Sequence, residues 1–401
     1  MLQNSKNTHF IGLVLLFAIA VGKLYSQDTL VVKPFSSVTC GNARFDQYLP
    51  LLKGKKVAVV TNVTGLVGKT SIVDTLLKLK VNIKKIFGPE HGFRSDIDAG
   101  EKVASSKDKK TGIIVVSLYG ANKKPTKEQL KDVDVVLYDI QDIGVRFYTY
   151  ISTMTYVMEA CAENKKQFIV LDRPNPNGFY IDGPVMKEEW KSFLGMHNVP
   201  VVYGMTCGEY AKMVNEEGWL SNKVKCELKV VELLNYNRKC SYELPVRPSP
   251  NIPNQRAILL YPSLGLFEGT IMSLGRGTQR PFQVLGHPEY RDTNFYFMPL
   301  PNAITKEPKY SGKKCNGVDL SRYPDWTVHP KKIELTWLRV MALKLKRPDF
   351  FDKNFNYHVG NNELEKQIVS RITFEDIRKS WEPDLEAFKQ IRKKYLLYQD
   401  F

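Results

Sequence analysis

The run Lys56–Thr61 reads KVAVVT, apolar without a break and rich in β-branched side chains. A strand with one wet face alternates polar and apolar residues. A strand that is apolar throughout is covered on both faces, which is the mark of a parallel sheet with helices on either side. The flanking segments repeat the theme. Thr70–Lys80 reads as a helix with Ile72, Leu76, Leu77 and Leu79 on its apolar side, and Asn82–Phe87 as the next strand. Further strands are expected at Gly112–Leu118, Val133–Tyr138, Gln167–Leu171 and Val199–Tyr203, with a late one at Cys226–Leu233. Helices are expected at Thr126–Val133, opened by a threonine cap, at Tyr150–Asn164, and from Thr206 to near Gly218. Strands alternating with helices predict an α/β fold, here a Rossmann-like parallel sheet domain.

PVRPSPNIP, Pro245–Pro253, suits neither a helix interior nor a central strand, so a domain boundary is placed there. A smaller mixed α/β C-terminal domain follows. It ends in an amphipathic helix over Pro383–Tyr398, with Leu385, Phe388, Ile391 and Leu396 on one face. The expected organisation is residues 1–26 as a signal peptide, 27–250 as the Rossmann-like catalytic domain and 251–401 as the domain that closes the cleft.

The first segment carries Lys6 and His9, an apolar run from Phe10 to Val21, then small or polar residues at Gly22 and Ser26. That pattern reads as a signal peptide cleaved before Gln27. The apolar run is short of the ~20 residues a membrane span needs, so no stable membrane insertion is expected. The protein is read as exported, to a periplasm or out of the cell. Its 58 Lys and Arg against 42 Asp and Glu give a formal charge of +16. Such charge serves solubility or draws in an anionic polymer. Outside the cell a carboxylate-bearing wall polymer fits better than nucleic acid. The six cysteines form no CxxC pair, which excludes a zinc ribbon. They read as small buried thiols, or as allowing one bridge, with Cys226–Cys240 the leading pair.

Each expected strand ends in polar residues: TNVTG at Thr61–Gly65, GPEHGFR at Gly88–Arg94, LYG at Leu118–Gly120, DIQDIGVRFYTY at Asp139–Tyr150, LDRPNPNG at Leu171–Gly178 and YGMTCGE at Tyr203–Glu209. In a parallel sheet these carboxyl ends share one edge, where ligands bind. A polar turn explains one such loop and explains six poorly. Several chemistries lack their motif. A phosphate loop ending at Gly68-Lys69-Thr70 needs glycine at Val63. No GxGxxG, HExxH or GxSxG is present. His197, His287, His329 and His358 are scattered, and the adjacent Glu90 and His91 would seldom chelate one ion, so neither metal nor cofactor is expected.

Carboxylate chemistry remains. Glu90 follows the stiff Pro89, and Gly92 allows close backbone passage. A carboxyl at a crevice floor can serve as a general acid. Partner carboxylates are Glu268, Asp142 and Glu101, with Asp139 and Asp172 also weighed. Asp172 reads equally well as half of an ion pair that fixes its own loop, and Tyr148 and Tyr150 as packing at a helix start. The residues read as contacting a ligand are Asn62, His91, Arg94, Tyr119, Gln141, Arg146, Tyr148, Asp172, Arg173, Asn175 and Tyr203. Aromatic faces fringed by amides and guanidinium groups suit a sugar.

The strings FGPEHGFR, TGIIVVSLYG, VLYDIQDIGVRFYTYISTM, VLDRPNPNG, GMTCGE, PSPNIP, LFEGTIMSLGRGTQRPF and RKKYLLY stand here in the order found in the NamZ-type exo-β-N-acetylmuramidases, glycoside hydrolase family 171. The chain resembles that family over nearly all of its length beyond the first segment. The resemblance implies a Rossmann-like domain, a smaller C-terminal one and a cleft between them. It implies release of terminal N-acetylmuramic acid from the non-reducing end of peptidoglycan fragments, with Glu90 as proton donor and with Glu268 and Arg276 facing the cleft. Tyr203 stands where the family often has histidine. The sugar's lactyl carboxylate would suit Arg94, Arg146, Arg173 or Arg276. The motifs leave open whether a second carboxylate or the substrate's acetamido group completes the mechanism, and so leave the stereochemistry open. A wall-binding protein that keeps the cleft without turnover is the alternative.

Overall fold

The strand β1 forms at Lys56–Thr61, as its apolar run predicts, and lies at the centre of a seven-stranded sheet. The computed structural model describes residues 38–94, 106–240, 242–291, 293–323 and 331–401. The signal-peptide reading falls outside them. The sheet comprises β1, β2 (Asn82–Gly88), β3 (Ser106–Lys107), β4 (Ile114–Ser117), β5 (Val135–Asp139), β6 (Gln167–Leu171) and β7 (Leu228–Val231), in the order β3-β4-β2-β1-β5-β6-β7. Every pairing is parallel except that of β3 with β4 at the edge.

Alternate residues of these strands feed two cores. Val57, Val59, Ile86, Val135, Leu137 and Ile169 pack with Tyr48 and Leu52 of α1 (Phe45–Leu52) and with Ile72, Val73 and Leu76 of α2 (Ile72–Lys78). Ala58, Val60, Phe87, Val136, Tyr138 and Phe168 face the other way. They meet the helix α4 (Tyr150–Glu163) through Met154, Val157 and Met158, and α5 (Cys207–Glu216) through Tyr210 and Val214. The second core runs on without interruption into the C-terminal part. The helices α3 (Lys127–Leu130) and α5 each start at a capping box, Thr126 with Gln129 and Thr206 with Glu209. The C-terminal part holds a small antiparallel sheet, β8 (Val284–His287), β9 (Tyr296–Phe297) and β10 (Cys315–Asp319), in the order β8-β10-β9. Its helices include α6 (Gln255–Leu264), α7 (Thr336–Leu345), α8 (Phe355–Val359), α9 (Leu364–Val369) and α10 (Phe374–Lys393).

Four expectations need correcting. Val199–Tyr203 is not the sixth strand. Pro200 offers no N–H, and the segment makes only isolated antiparallel bridges from Val202 to Val145 and to Asp182; β7 takes the parallel place beside β6. The helix expected from Thr70 starts at Ile72, because Thr70–Ser71 pairs with Leu66–Val67 in a hairpin. That hairpin is the stretch resembling a phosphate loop. The last helix starts at Phe374, where the Thr373 side chain caps it, so Pro383 lies in its interior on the exposed face. There water can satisfy the carbonyl that proline frees. All six cysteines are free thiols, and the Cys240 sulfur accepts from the Asn237 N–H in its own turn instead of bridging to buried Cys226. Among the described residues no helix is long and apolar enough to cross a membrane.

Candidate active site

Beyond the carboxyl ends of β2, β4 and β5 lies an open cavity of about 780 Å³. One wall comes from the parallel sheet. Glu90 and His91 line it from the turn after β2, where Gly92 N donates to Pro89 O at 2.9 Å. His91 and Gly92 both take left-handed backbone, with φ of 69° and 73°, so the chain reverses tightly there. Tyr119 follows β4, and Phe147 to Tyr150 lead from β5 into α4. Thr149 Oγ1 donates to Glu90 Oε2 at 2.9 Å. Burial, with the nearby Glu90 charge, raises the Tyr119 pKa and keeps its hydroxyl protonated.

The opposite wall is built after α6. Glu268 stands in the short turn Gly265–Gly269, and Arg276 between Gly275 and Gly277. Arg276 Nη2 donates to Glu268 Oε1 at 2.6 Å, and the Tyr261 hydroxyl, its pKa raised by burial and then by the Glu268 charge, lines the same cavity. Burial acts to raise the Glu268 pKa, but Arg276, with His358 and Lys309 farther off, outweighs it and holds the carboxyl below the ordinary glutamate value. Glu268 is therefore an anion tied to a cation. The charge of Glu90 reaches both Tyr261 and Arg276, so the two walls share one electrostatic site.

Between the walls the rings form a basket. Tyr148 meets Tyr150 at 4.8 Å and Tyr261 at 6.0 Å between centroids, Phe147 meets Tyr261 and His358 at 5.5 Å each, and Tyr261 meets Phe282 at 4.9 Å. Phe282 has a φ of 56°, rare for a bulky residue, and this bend lays its ring beneath the Arg276 guanidinium. Gly269 lets α8 dock against the Glu268 turn, since a Cβ there would lie 2.3 Å from the Phe355 Cα. Asn251 lines the cavity from the Pro-rich stretch. Its Oδ1 accepts from Thr305 Oγ1 at 3.0 Å, while its Nδ2 is buried with no hydrogen-bond partner.

Of the residues singled out from sequence, the cavity gathers Glu90, His91, Tyr119, Tyr148, Glu268 and Arg276. The others lie elsewhere. Arg94 grips Asp108 through two bonds of 2.7 and 2.9 Å and draws that carboxyl down to about 2. Arg173 donates to buried Asp139 at 2.6 Å. Asp172 accepts from Thr206 Oγ1, Gly208 N and Tyr398 Oη, and burial raises its pKa to about 6. Gln141 donates to Pro174 O, Asn175 to Met205 O, and Asn62 accepts from Thr64. Tyr203 is wholly buried and donates to Asp142, so the position where the family often has histidine stands apart from the cavity lining. Asp142 is buried too, and burial raises its pKa to about 6. Arg146 is held, among the described residues, by four backbone carbonyls. Glu101 lies outside the described residues.

Thus three of the six polar loops line the cavity. Of the other three, LDRPNPNG and YGMTCGE bond to each other, while TNVTG bonds to Asp139 and Gln141, because buried loop backbone must find partners. Sequence reading passed over Tyr261, Phe282 and Asn251, and set His358 aside as one of several scattered histidines. Only Asn251 and Phe282 carried a signal, as members of the PSPNIP and GRGTQRPF strings. Among the described residues no cluster of three His, Cys, Asp or Glu side chains could hold a metal ion.

A parallel α/β sheet opening on a ring-lined cavity with opposed carboxylates is the equipment of a glycoside hydrolase, and that is the class of this enzyme. Family models place it further. The model described as exo-β-N-acetylmuramidase NamZ, N-terminal, matches residues 57–256, and its C-terminal counterpart matches 259–398. The chain belongs to the NamZ exo-β-N-acetylmuramidase family. It is 39% identical to the peptidoglycan β-N-acetylmuramidase NamZ of Bacillus subtilis (strain 168) over 88% of this chain and 89% of that protein. Two crystal structures of DUF1343 family proteins from Bacteroides fragilis NCTC 9343 share the fold. One has a TM-score of 0.86 and 42% identity, covering 91% of this chain and 100% of that one. The other has a TM-score of 0.74 and 33% identity, covering 90% and 99%.

Proposed function

We propose that this enzyme releases terminal N-acetylmuramic acid from the non-reducing end of peptidoglycan fragments, with Glu90 as general acid. The observation that carries the reading is the unequal surroundings of the two carboxylates that line the cavity. Glu268 is an anion held by Arg276, so it is poorly suited to donate a proton. Glu90 accepts from the neutral Thr149 hydroxyl, and no ion pair holds it among the described residues. In this reading Glu90 passes its proton to the leaving oxygen as the glycosidic C–O bond breaks, and water completes the hydrolysis. The rings of Tyr148, Tyr261 and Phe147 supply apolar faces for the sugar. Residues 27–250 bring the acid, and residues 251–401 close the cleft with the Glu268–Arg276 wall. Such fragments lie outside the cytoplasm, so the reading includes export under the first 26 residues, to a periplasm or beyond.

The test is chromophore release from 4-nitrophenyl β-N-acetylmuramide, beside the matching glucosaminide, by wild type and Glu90→Gln. Cleavage of the muramide alone, lost in the variant, is expected. A variant that cleaves as fast as wild type removes Glu90 from the chemistry. Binding of wall fragments without release of sugar would replace the enzyme reading with that of a binding protein.

A further inference from the structure

N-acetylmuramic acid differs from N-acetylglucosamine by a lactyl ether that ends in a carboxylate. Of the four arginines offered for that group, three are committed to the fold. Arg94 is engaged with Asp108, Arg173 with Asp139, and Arg146 with backbone carbonyls. Among the described residues Arg276 is the one arginine that lines the cavity. Its single hydrogen bond there runs from Nη2 to Glu268 Oε1, and its guanidinium carbon sits 5.0 Å from the Phe282 centroid. A guanidinium carries five N–H donors in a planar fork, so an edge remains open after Glu268 is served. The mount is rigid. Gly275 and Gly277 have φ of 73° and 81°, and a Cβ on either would lie 2.4 Å from Val284 Cγ2 or 2.6 Å from Leu300 O. Lys306, the other cavity-lining cation of fixed charge, is exposed and presents a point charge with no fork.

Resting on the muramidase reading, we infer that Arg276 selects N-acetylmuramic acid by taking the lactyl carboxylate on the open edge of its guanidinium, while Glu268 and Phe282 act as positioning residues that aim that edge. A glucosaminide leaves the edge to water and forfeits a charge-assisted pair.

The test is calorimetric binding of N-acetylmuramic acid and of its neutral lactyl methyl ester to the full chain, with N-acetylglucosamine as reference. Wild type is expected to favour the acid over the ester by about 10- to 100-fold. Arg276→Ala should lose that same factor for the acid and hold the ester within about threefold, since the group the ester lacks is the one the arginine reads. Arg276→Lys, which keeps charge and bulk, should retain a minor part of the preference, and it serves should the alanine variant fail to fold. Glu268→Gln should weaken binding of the acid more than of the ester, and add nothing in the Arg276→Ala background. An acid-to-ester preference that survives in Arg276→Ala or Arg276→Lys at its wild-type size overturns the inference and leaves the muramidase reading standing. A wild type that binds none of the three sugars and releases none from the muramide overturns both.

Discussion

Thr149 stands at the N-cap of α4, yet its hydroxyl caps nothing: it donates to Glu90 Oε2 at 2.9 Å. A threonine in that place ordinarily serves the first turn of its helix. Here it has been diverted to hold a carboxyl carried on another loop. Thr149→Val should therefore leave the helix and the melting temperature nearly unchanged, because no cap is lost. It should lower kcat about tenfold, with KM within about twofold, because the carboxyl loses its orientation. Thr149→Ser should restore the rate. A melting temperature that falls with the rate would mark Thr149 as structural.

The proton-donor role of Glu90 has a signature in the leaving group. A sugar alcohol leaves poorly without a proton, whereas 4-nitrophenolate leaves well unaided. Glu90→Gln should cost about 10³-fold or more in kcat/KM on a disaccharide with a natural aglycone, and much less on the nitrophenyl glycoside. Equal losses on both would mean that Glu90 orients or binds and does not protonate.

How much of this could be read from sequence depended on whether a residue's partners are local. KVAVVT is a buried central strand because nothing in it tolerates water. Thr206 and Glu209 cap a helix because their spacing alone brings them together. Glu90 was legible for the same reason: proline, glycine and a strand end confine it to a turn. Arg146 and Arg173 were not. An arginine near polar loops looks like an anion reader until the fold supplies Val359 O or Asp139 as its partner. Val199–Tyr203 looked like a strand by composition, and lost its place to the less apolar Leu228–Val231, which had the neighbour it needed in β6. The far wall of the cavity, from Tyr261 to His358, depends on packing between distant segments, which no local pattern records.

Arg146 illustrates the cost of such packing. Nη1 donates to Pro184 O and Val199 O at 2.8 and 2.7 Å, and Nη2 to His358 O and Val359 O at 2.9 and 2.6 Å. The side chain is wholly buried, no carboxylate bonds to it among the described residues, and burial draws its pKa down to about 9. It ties the end of α8, and with it cavity-lining His358, to the loop that follows β5. A lysine ammonium cannot serve four carbonyls spread around a plane. Arg146→Lys should cost about 3–5 kcal/mol in urea unfolding and raise KM through the displaced His358 wall. A loss below about 1 kcal/mol would show that water replaces the guanidinium easily.

Asp142 gives a prediction with a definite sign. Tyr203 and the Gly144 N–H both serve its Oδ2, while Oδ1 is buried without a partner. Burial lifts its pKa from 3.8 to about 6 despite those bonds. Below the unfolded value both states are protonated. Between about 4 and about 6 the folded state holds the proton that the unfolded state has released, so this group's contribution to stability falls as pH rises, and it stays level above that window. The whole effect is on the order of 3 kcal/mol. Asp142→Asn abolishes the titration. Its stability relative to wild type should therefore climb between pH 4 and pH 7, read by urea unfolding at each pH. The new amide leaves a donor where Oδ1 had no partner, and that penalty shifts the comparison equally at every pH without altering its slope. Because Asp142 lies off the cavity lining, the variant should also keep a kcat near that of wild type. A variant that parallels wild type across the pH range would show that burial does not raise this carboxyl, and one that loses activity as Glu90→Gln does would return Asp142 to the chemistry as the second carboxylate.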